Sequence, residues 1–326
     1  MSTLLPTLRQ LRFLVALADH GTFSRAAEMS HVTQPSLSAA IKELEGILNA
    51  TLVERSARGA ALTPAGETAV ARARVVLTEA EDLVHAARAA GQPLTGPFRL
   101  GVIPTIAPFL LPRALPDLRK RFPALELFLR EDLTHRLVDA LKDRRLDAAV
   151  IALPYEADGL ETQVLMADEF LFAAPPDHPL SRVETLTTGM LAGVQLLLLE
   201  DGHCLRDHAL TVCAASPERR GAGRSDFAAT SLHTLIQMVR SGLGATLLPR
   251  MAVDAGLADQ MDLTIRPFDP PVVGREIGLV WRKGSARADE TRTLANAIRD
   301  ELAAAPNLAL ATPPSGHPAR SARPSA

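Results

Sequence analysis

This 326-residue sequence predicts an all-α N-terminal head, one long connecting helix and a larger two-lobed α/β domain. Three observations predict it. Apolar residues recur at helical spacing from Leu8 to Leu48. An amphipathic stretch then runs without a break from Pro64 to Ala90. Beyond Phe98, short apolar runs alternate with amphipathic helices, the pattern of a parallel or mixed sheet covered by helices.

The first helix spans Leu8 to His20, with Leu11, Leu14, Val15 and Leu17 on one side and Gly21-Thr22 as its stop. A second, shorter helix fits Phe23 to Met29 and carries Ala26-Ala27. Ser30-His31-Val32 reads as a tight turn, after which Thr33 offers an N-cap hydroxyl to a third helix. Pro35 is tolerated in that helix because first-turn N–H groups have no intrahelical partner. Leu37, Ile41, Leu44 and Leu48 bury one face, leaving Gln34, Ser36, Ser38, Ala39 and Lys42 on the other. Small and amide side chains at the start of an exposed helix suit insertion into a DNA major groove. Leu52 to Arg55 and Ala61 to Gly66, turning at Gly59, read as a two-stranded wing, with Arg55 and Arg58 placed to run along a phosphate backbone. Thr63 caps the long helix, whose Val70, Ala73, Leu77, Ala80 and Val84 form a stripe suited to a second copy of the chain.

In the larger domain, strands are expected at Phe98–Ile103, Ala124–Arg130, Asp147–Ala152, Glu169–Ala174, Val194–Leu199, Ala245–Leu248, Asp262–Pro267 and Glu276–Trp281. Helices fit Leu110–Phe122, Leu133–Asp143, Leu232–Ser241 and Ala288–Ala303. Beyond residue 304 the composition turns to Pro, Ser, Ala and Gly, which reads as a disordered tail over 305–326.

Composition narrows the function classes. With 47% hydrophobic residues the chain can build ordinary packed cores. Its net charge of −2 gives no general attraction for nucleic acid. Residues 1–66 hold six Lys/Arg against five Asp/Glu, so DNA contact must come from local placement of charge and from several copies binding together. Arg9 and Arg12 interrupt the apolar start, against a signal peptide, and no stretch reaches the roughly 18 apolar residues of a membrane span. The expectation is a cytoplasmic protein with no membrane partner, in which thiols rest reduced.

Cys204 and Cys213 are the only two cysteines, too few for a disulfide-stapled fold. Asp201 can cap a short helix beginning near Gly202, which would put Cys204 in the first turn, where the macrodipole favours a thiolate, with His203 and Arg206 adding donors. If 204 to 213 stays helical, nine steps of roughly 1.5 Å separate the two residues by about 13 Å. A disulfide needs Cα atoms within about 7 Å, so bonding requires the segment to unwind. Three other readings stand beside this one. Cys213, in Leu210-Thr211-Val212-Cys213, fits an inert buried hydrophobe. Cys204 with His203, Asp207 and His208 could hold a metal, although no paired ligand spacing of a zinc site is present and no metal is expected. A lone reactive cysteine could also serve a thiol peroxidase, which would leave the DNA-binding head unexplained.

Leu8-Arg9-Gln10-Leu11, Gly21 to Ala27, Val32 to Ser38, Leu44-Glu45, Leu62 to Gly66 and Gly242 to Pro249 together resemble the LysR-type transcriptional regulators. The resemblance covers the chain except its tail. It implies a winged helix-turn-helix domain at 1–63, a linker and dimerisation helix at 64–92, and a periplasmic-binding-protein-like regulatory domain at 93–304. Lobe I would comprise about 93–166 and 269–304, and lobe II about 167–268. It further implies a regulator rather than an enzyme, with no cofactor, acting as a homodimer or homotetramer on double-stranded operator DNA at a promoter, with RNA polymerase as a further partner.

Gly101 to Thr105, Leu199 to Asp207 and Phe227 to Leu232 resemble the hydrogen-peroxide sensors of that family. By that resemblance Cys204 is the peroxide-reacting cysteine and Cys213 its resolving partner, with Thr105, Thr134, His203 and Arg275 around the pocket. A disulfide would then remodel the regulatory domain and change transcription of antioxidant genes. The competing reading within the family is a regulator that binds a small metabolite between the lobes, its cysteines passive.

The DNA assignment rests on Gln34, Pro35, Ser36, Ser38 and Lys42 of the third helix and Arg55 of the wing. Gln34→Ala is expected to cost about 1–3 kcal/mol of operator binding and to relax base preference, while Arg55→Ala weakens binding to all sequences alike. Titrations over a set of operator variants at fixed salt check this, and equal losses across the set for both variants would overturn the division of roles.

Overall fold

The computed structural model describes residues 4–56, 59–88, 94–213 and 228–304. Arg58, Gly91-Gln92-Pro93, Phe227 and the expected tail at 305–326 lie outside the described residues, as do the side chains of Arg55 and Cys213.

Three helices form the head: α1 (Leu8–His20), α2 (Phe23–Met29) and α3 (Gln34–Leu48). Thr7 and Gln10 cap α1 reciprocally, each side chain meeting the other's backbone N–H. Gly21 ends that helix at φ 69°, a left-handed conformation that side chains with a Cβ resist. Leu14, Leu17, Ala26, Ala27, Leu37 and Leu44 close the core between the helices. Thr33 occupies the N-cap of α3 as expected, but its hydroxyl meets that of Ser36 at 2.8 Å instead of a backbone N–H.

The wing strands β1 (Val53–Ser56) and β2 (Gly59–Leu62) pair antiparallel. Glu45 fixes their position, its carboxylate accepting the N–H groups of Leu52 at 2.8 Å and Val53 at 3.2 Å. On the other side the Ala60 N–H donates to the Gly21 carbonyl at 3.0 Å. Then α4 (Pro64–Arg88) begins under the Thr63 hydroxyl, which accepts the Gly66 N–H at 3.0 Å. A Cβ at Gly66 would stand 2.1 Å from the Leu52 carbonyl oxygen, so helix and wing touch backbone to backbone there. Val70 and Ala73 of the expected stripe are buried against the head, whereas Val76, Leu83 and Val84 are exposed. Farther along, Glu79 and Glu81 pair with Arg144 and Arg99 of the larger domain.

That domain opens with β3 (Gly96–Val102), α5 (Ala107–Arg121), β4 (Leu125–Glu131), α6 (Thr134–Lys142) and β5 (Ala148–Leu153). The strand β3 lies parallel to β4 and β5. The chain then crosses on β6 (Leu160–Ala174) into β7 (Leu198–Leu199), α7 (Cys204–Cys213), β8 (Ala228–Ala229), α8 (Leu232–Arg240), β9 (Thr246–Pro249), α9 (Arg250–Asp254) and β10 (Thr264–Arg266). It returns through β11 (Gly274–Arg282) and ends on α10 (Ala288–Ala304). The strand path is β10-β6-β11-β5-β3-β4, with β9 also paired to β6.

Two corrections to the expected strands follow from packing. Residue 169 was the expected start of a strand that in fact begins at Leu160. Its first part, Leu160 to Glu169, pairs with β11, and Phe170 to Ala174 pairs with β9 and β10, so one strand serves both lobes. The expected strand at Val194–Leu199 pairs only at Leu198 and Leu199, joined by a single bridge from Leu196 to Ala245. Leu196 to Leu199 are buried, but Val194 to Leu197 run as a connector within lobe II.

The close approach of Leu52 and Gly66 gives a test. Gly66→Ala is expected to lower stability by about 1–3 kcal/mol in denaturant unfolding followed by helical circular dichroism. Gly46→Ala, where a Cβ meets open space in α3, is the control and should gain about 0.5–1 kcal/mol. A Gly66→Ala protein as stable as the parent would refute the contact.

Candidate functional site

Two parallel neighbours, β3 and β4, deliver the first side chains of the site. Thr105 lies just beyond β3, and Thr134 opens α6 just beyond β4; both are buried. Ligands of open α/β sheets gather at this carboxyl end of the strands. From the other lobe α7 points its N-terminus at the same place, with Cys204 as its first residue. Gly202, at φ +95°, makes the entry turn, and a Cβ there would lie 3.2 Å from Leu133 Cδ1. The turn therefore rides directly over the start of α6, and the Thr134 hydroxyl meets Cys204 Sγ at 2.8 Å.

Arg275 holds the Thr105 side. It stands on β11 directly across from Asp168 on β6, and both side chains are fully buried. Arg275 Nε donates to Asp168 Oδ2 at 3.0 Å, Nη1 to the Thr105 hydroxyl at 2.9 Å and Nη2 to the Thr105 carbonyl at 3.1 Å. The second oxygen of Asp168 accepts the N–H of Met251, in the first turn of α9, at 3.0 Å. Gly274 allows the strands to come this close, since a Cβ there would lie 2.5 Å from the Asp168 carbonyl oxygen.

The sequence-selected residues thus form two contacting pairs, Thr134 with Cys204 and Thr105 with Arg275. His203 is buried beside the thiol in sequence; burial pushes its imidazole pKa down, with Glu200 opposing. The lone tyrosine, Tyr155, also faces this region: burial, and then Cys204, pushes its hydroxyl up from the ordinary value. Two expected roles fail. The helix begins at Cys204, which puts the thiol in its first turn as expected, but Asp201 pairs with Arg206 Nε at 2.9 Å instead of serving as the expected cap. Arg206 also donates to the Leu199 carbonyl at 3.1 Å, which directs it to the loop and away from the thiol. No sequence signal marks Asp168, because its importance lies in register across two strands, and His208, one turn beyond Cys204, is marked only as a possible metal ligand. Cys213 closes α7 nine residues on, so the helical rise holds the two cysteines about 13 Å apart.

At the head, Gln34, Pro35, Ser36 and Lys42 of α3 are exposed, and Ser38 is half-buried. Arg55 lies on β1 opposite Ala60. Among the described residues no helix is long and apolar enough to cross a membrane.

A helical head with a wing, joined by a long helix to a two-lobed α/β domain, defines a class of bacterial regulator. Residues 8–67 match the bacterial regulatory helix-turn-helix protein, lysR family, and residues 91–303 match the LysR substrate binding domain. The chain belongs to the LysR family. It is 42% identical over 296 residues to the DNA-binding transcriptional dual regulator OxyR of Escherichia coli K12, covering 90% of this chain and 95% of that one. Among solved structures it resembles a full-length cysteine-to-aspartate variant of OxyR from Pseudomonas aeruginosa, with a TM-score of 0.75 and 37% identity over 90% of this chain and 98% of the other. It also resembles a hydrogen-peroxide-bound cysteine-to-serine variant of Corynebacterium glutamicum OxyR, with a TM-score of 0.65 and 36% identity over 93% and 94% of the two chains.

The buried pair carries a stability prediction. Arg275→Met leaves the Asp168 charge buried without its partner and is expected to cost about 3–5 kcal/mol. Adding Asp168→Leu to that variant should recover most of the loss, as measured by denaturant unfolding of the full chain. A single variant as stable as the parent would show that the pair does not hold the lobes.

Proposed function

We propose that the chain is a peroxide-responsive LysR-type regulator whose sensing residue is Cys204. The observation that carries this reading is the 2.8 Å contact between Cys204 Sγ and the Thr134 hydroxyl, at the meeting of two helix N-termini. Identity of 42% to OxyR over nearly the whole chain supports it.

In this reading hydrogen peroxide lodges among Thr105, Thr134, His203 and Arg275, next to the sulfur. The Cys204 thiolate attacks one peroxide oxygen; the O–O bond breaks, a sulfenic acid forms and hydroxide departs to be protonated to water. The Cys213 thiol then attacks the sulfenic sulfur, forming the S–S bond and releasing water. The cysteine is oxidised and the peroxide reduced, with no cofactor required. Because α7 holds the two cysteines about 13 Å apart along its axis, the second step requires α7 to unwind. The unwinding is the signal. It removes Cys204 from Thr134 and with it a tie between the lobes.

The remaining assignments follow the same reading. The head is residues 1–63, the linker and dimerisation helix 64–92, and the regulatory domain 93–304, with lobe II at about 167–268. Exposed Val76, Leu83 and Val84 on α4 support pairing with a second copy, and a tetramer is the working form. Gln34, Pro35, Ser36 and Ser38 of α3 enter the major groove, Lys42 and Arg55 contact phosphate or groove edges, and the bound protein acts on RNA polymerase at the promoter from the cytoplasm.

Order of oxidation tests the mechanism. Cys204→Ser is expected to abolish the peroxide-induced change in the DNA footprint, which a regulator sensing a metabolite would retain. Cys213→Ser should accumulate sulfenic acid at Cys204, visible by mass spectrometry after trapping, yet form no intramolecular bridge. Oxidation of Cys213 first, or a changed footprint with both thiols reduced, would overturn it.

A further inference from the structure

His208 lies on α7 one helical turn beyond Cys204 and on the same side of the helix. Its Nδ1 is buried and has no hydrogen-bond partner among the described residues. Buried polar atoms are nearly always paired, so an unpaired one needs a reason. The ring also feels Arg275: burial, and then the guanidinium, pushes its pKa below the ordinary imidazole value, with Asp207 opposing. Since Arg275 is bonded to Thr105 and Asp168, His208 stands on the thiol-bearing helix within electrostatic reach of the Arg275–Thr105 side of the site.

The chemistry of the ring then matters. A neutral imidazole offers one nitrogen as an acceptor, whereas a protonated one offers only donors. Hydrogen peroxide brings two O–H donors, and Arg275 can only donate. Resting on the peroxide reading above, we propose that His208 is a positioning residue for the sensing reaction: its Nδ1 accepts a hydrogen bond from bound hydrogen peroxide, and protonation of the ring withdraws that acceptor and weakens sensing in acid. Besides burial, the groups that set its charge are Arg275 on β11 and Asp207 on α7; Asp168 on β6 stands behind Arg275, and Cys204 lies one turn back on α7, with His203 beside it in sequence and Tyr155 near the thiol. A neutral ring beside the fixed Arg275 charge is the sensing form, and the acid form sets two cations together.

The test compares rates in the full-length reduced protein. Loss of the Cys204 thiol to hydrogen peroxide is timed by quenching alkylation and mass spectrometry from about pH 5 to about pH 8. His208→Gln keeps an acceptor that does not titrate. The ratio of the parent rate to that of His208→Gln should be constant near neutrality, fall through the imidazole midpoint and level off about tenfold lower in acid, where the protonated ring has lost its acceptor. Titration of the thiol itself is common to both proteins, and the extra cation of an acidic parent would favour the thiolate, so a fall in the ratio cannot come from the thiol. His208→Leu, with no acceptor, should react about tenfold more slowly than either at neutral pH. A ratio that stays flat into acid, or a leucine variant as fast as the parent, overturns the proposal. Should His208→Leu fail to fold by thermal unfolding, the glutamine ratio alone decides. If Cys204 in the parent reacts no faster than a free cysteine at any pH, the peroxide reading itself fails, an outcome distinct from a flat ratio with a fast parent.

Discussion

The regulatory domain depends on one buried ion pair, Arg275 with Asp168. Two charges removed from water are tolerable only if every hydrogen-bonding position around them is filled. Here the filling is what builds the site. The guanidinium reaches Thr105 on one lobe's sheet edge, and the carboxylate reaches the Met251 N–H at the start of α9. A network of this kind adds little net stability over a well-packed apolar core. Its effect is specific: strands β6 and β11 have one register in which all these bonds close, and that register presents Thr105 to the pocket.

Against this rigid side stands a side built to change. Cys204 is held by a helix start, one hydroxyl contact and a glycine turn, none of which requires the rest of α7 to persist. A helix of ten residues has modest stability by itself, and its apolar face, Leu205 and Ala209, supplies most of its anchoring. Unwinding it would sacrifice a few buried contacts while leaving the Arg275 network intact. The Thr105 side of the site is fixed by a closed network, and the Cys204 side rests on fewer bonds.

How much of this was legible in the sequence depends on whether the signal was local. The head was legible because capping residues, stops and apolar spacing all fall within single helices: α1 and α2 have the expected limits. Strand β6 was half missed, since Asp168-Glu169 interrupts its apolar run and its two halves answer to different lobes. Val194 to Leu197 read as strand because a connector whose leucines, Leu196 and Leu197, are buried resembles a buried strand in composition. Cys204 stood out as one of two cysteines, at a helix start, and Thr134 came through family resemblance; their 2.8 Å contact depends on the Gly202 turn that no periodicity reveals. Asp168 was invisible, and His208 legible only as a possible metal ligand, for the same physical reason. Their meaning comes from what stands opposite them in space.

The backbone contact between Leu52 and Gly66 has a mechanical consequence. With no side chain between them, wing and α4 move as one solid piece, so α4 is a lever with the DNA-reading head fixed to its end. Its 25 residues make an arm of about 37 Å. Tilting such an arm by about 10° swings the head by roughly 6 Å, close to the rise of two base pairs at about 3.4 Å each. A rearrangement far too small to alter the fold is therefore large enough to move the reading helices out of phase with the groove, and the stiffness of that joint sets the gain.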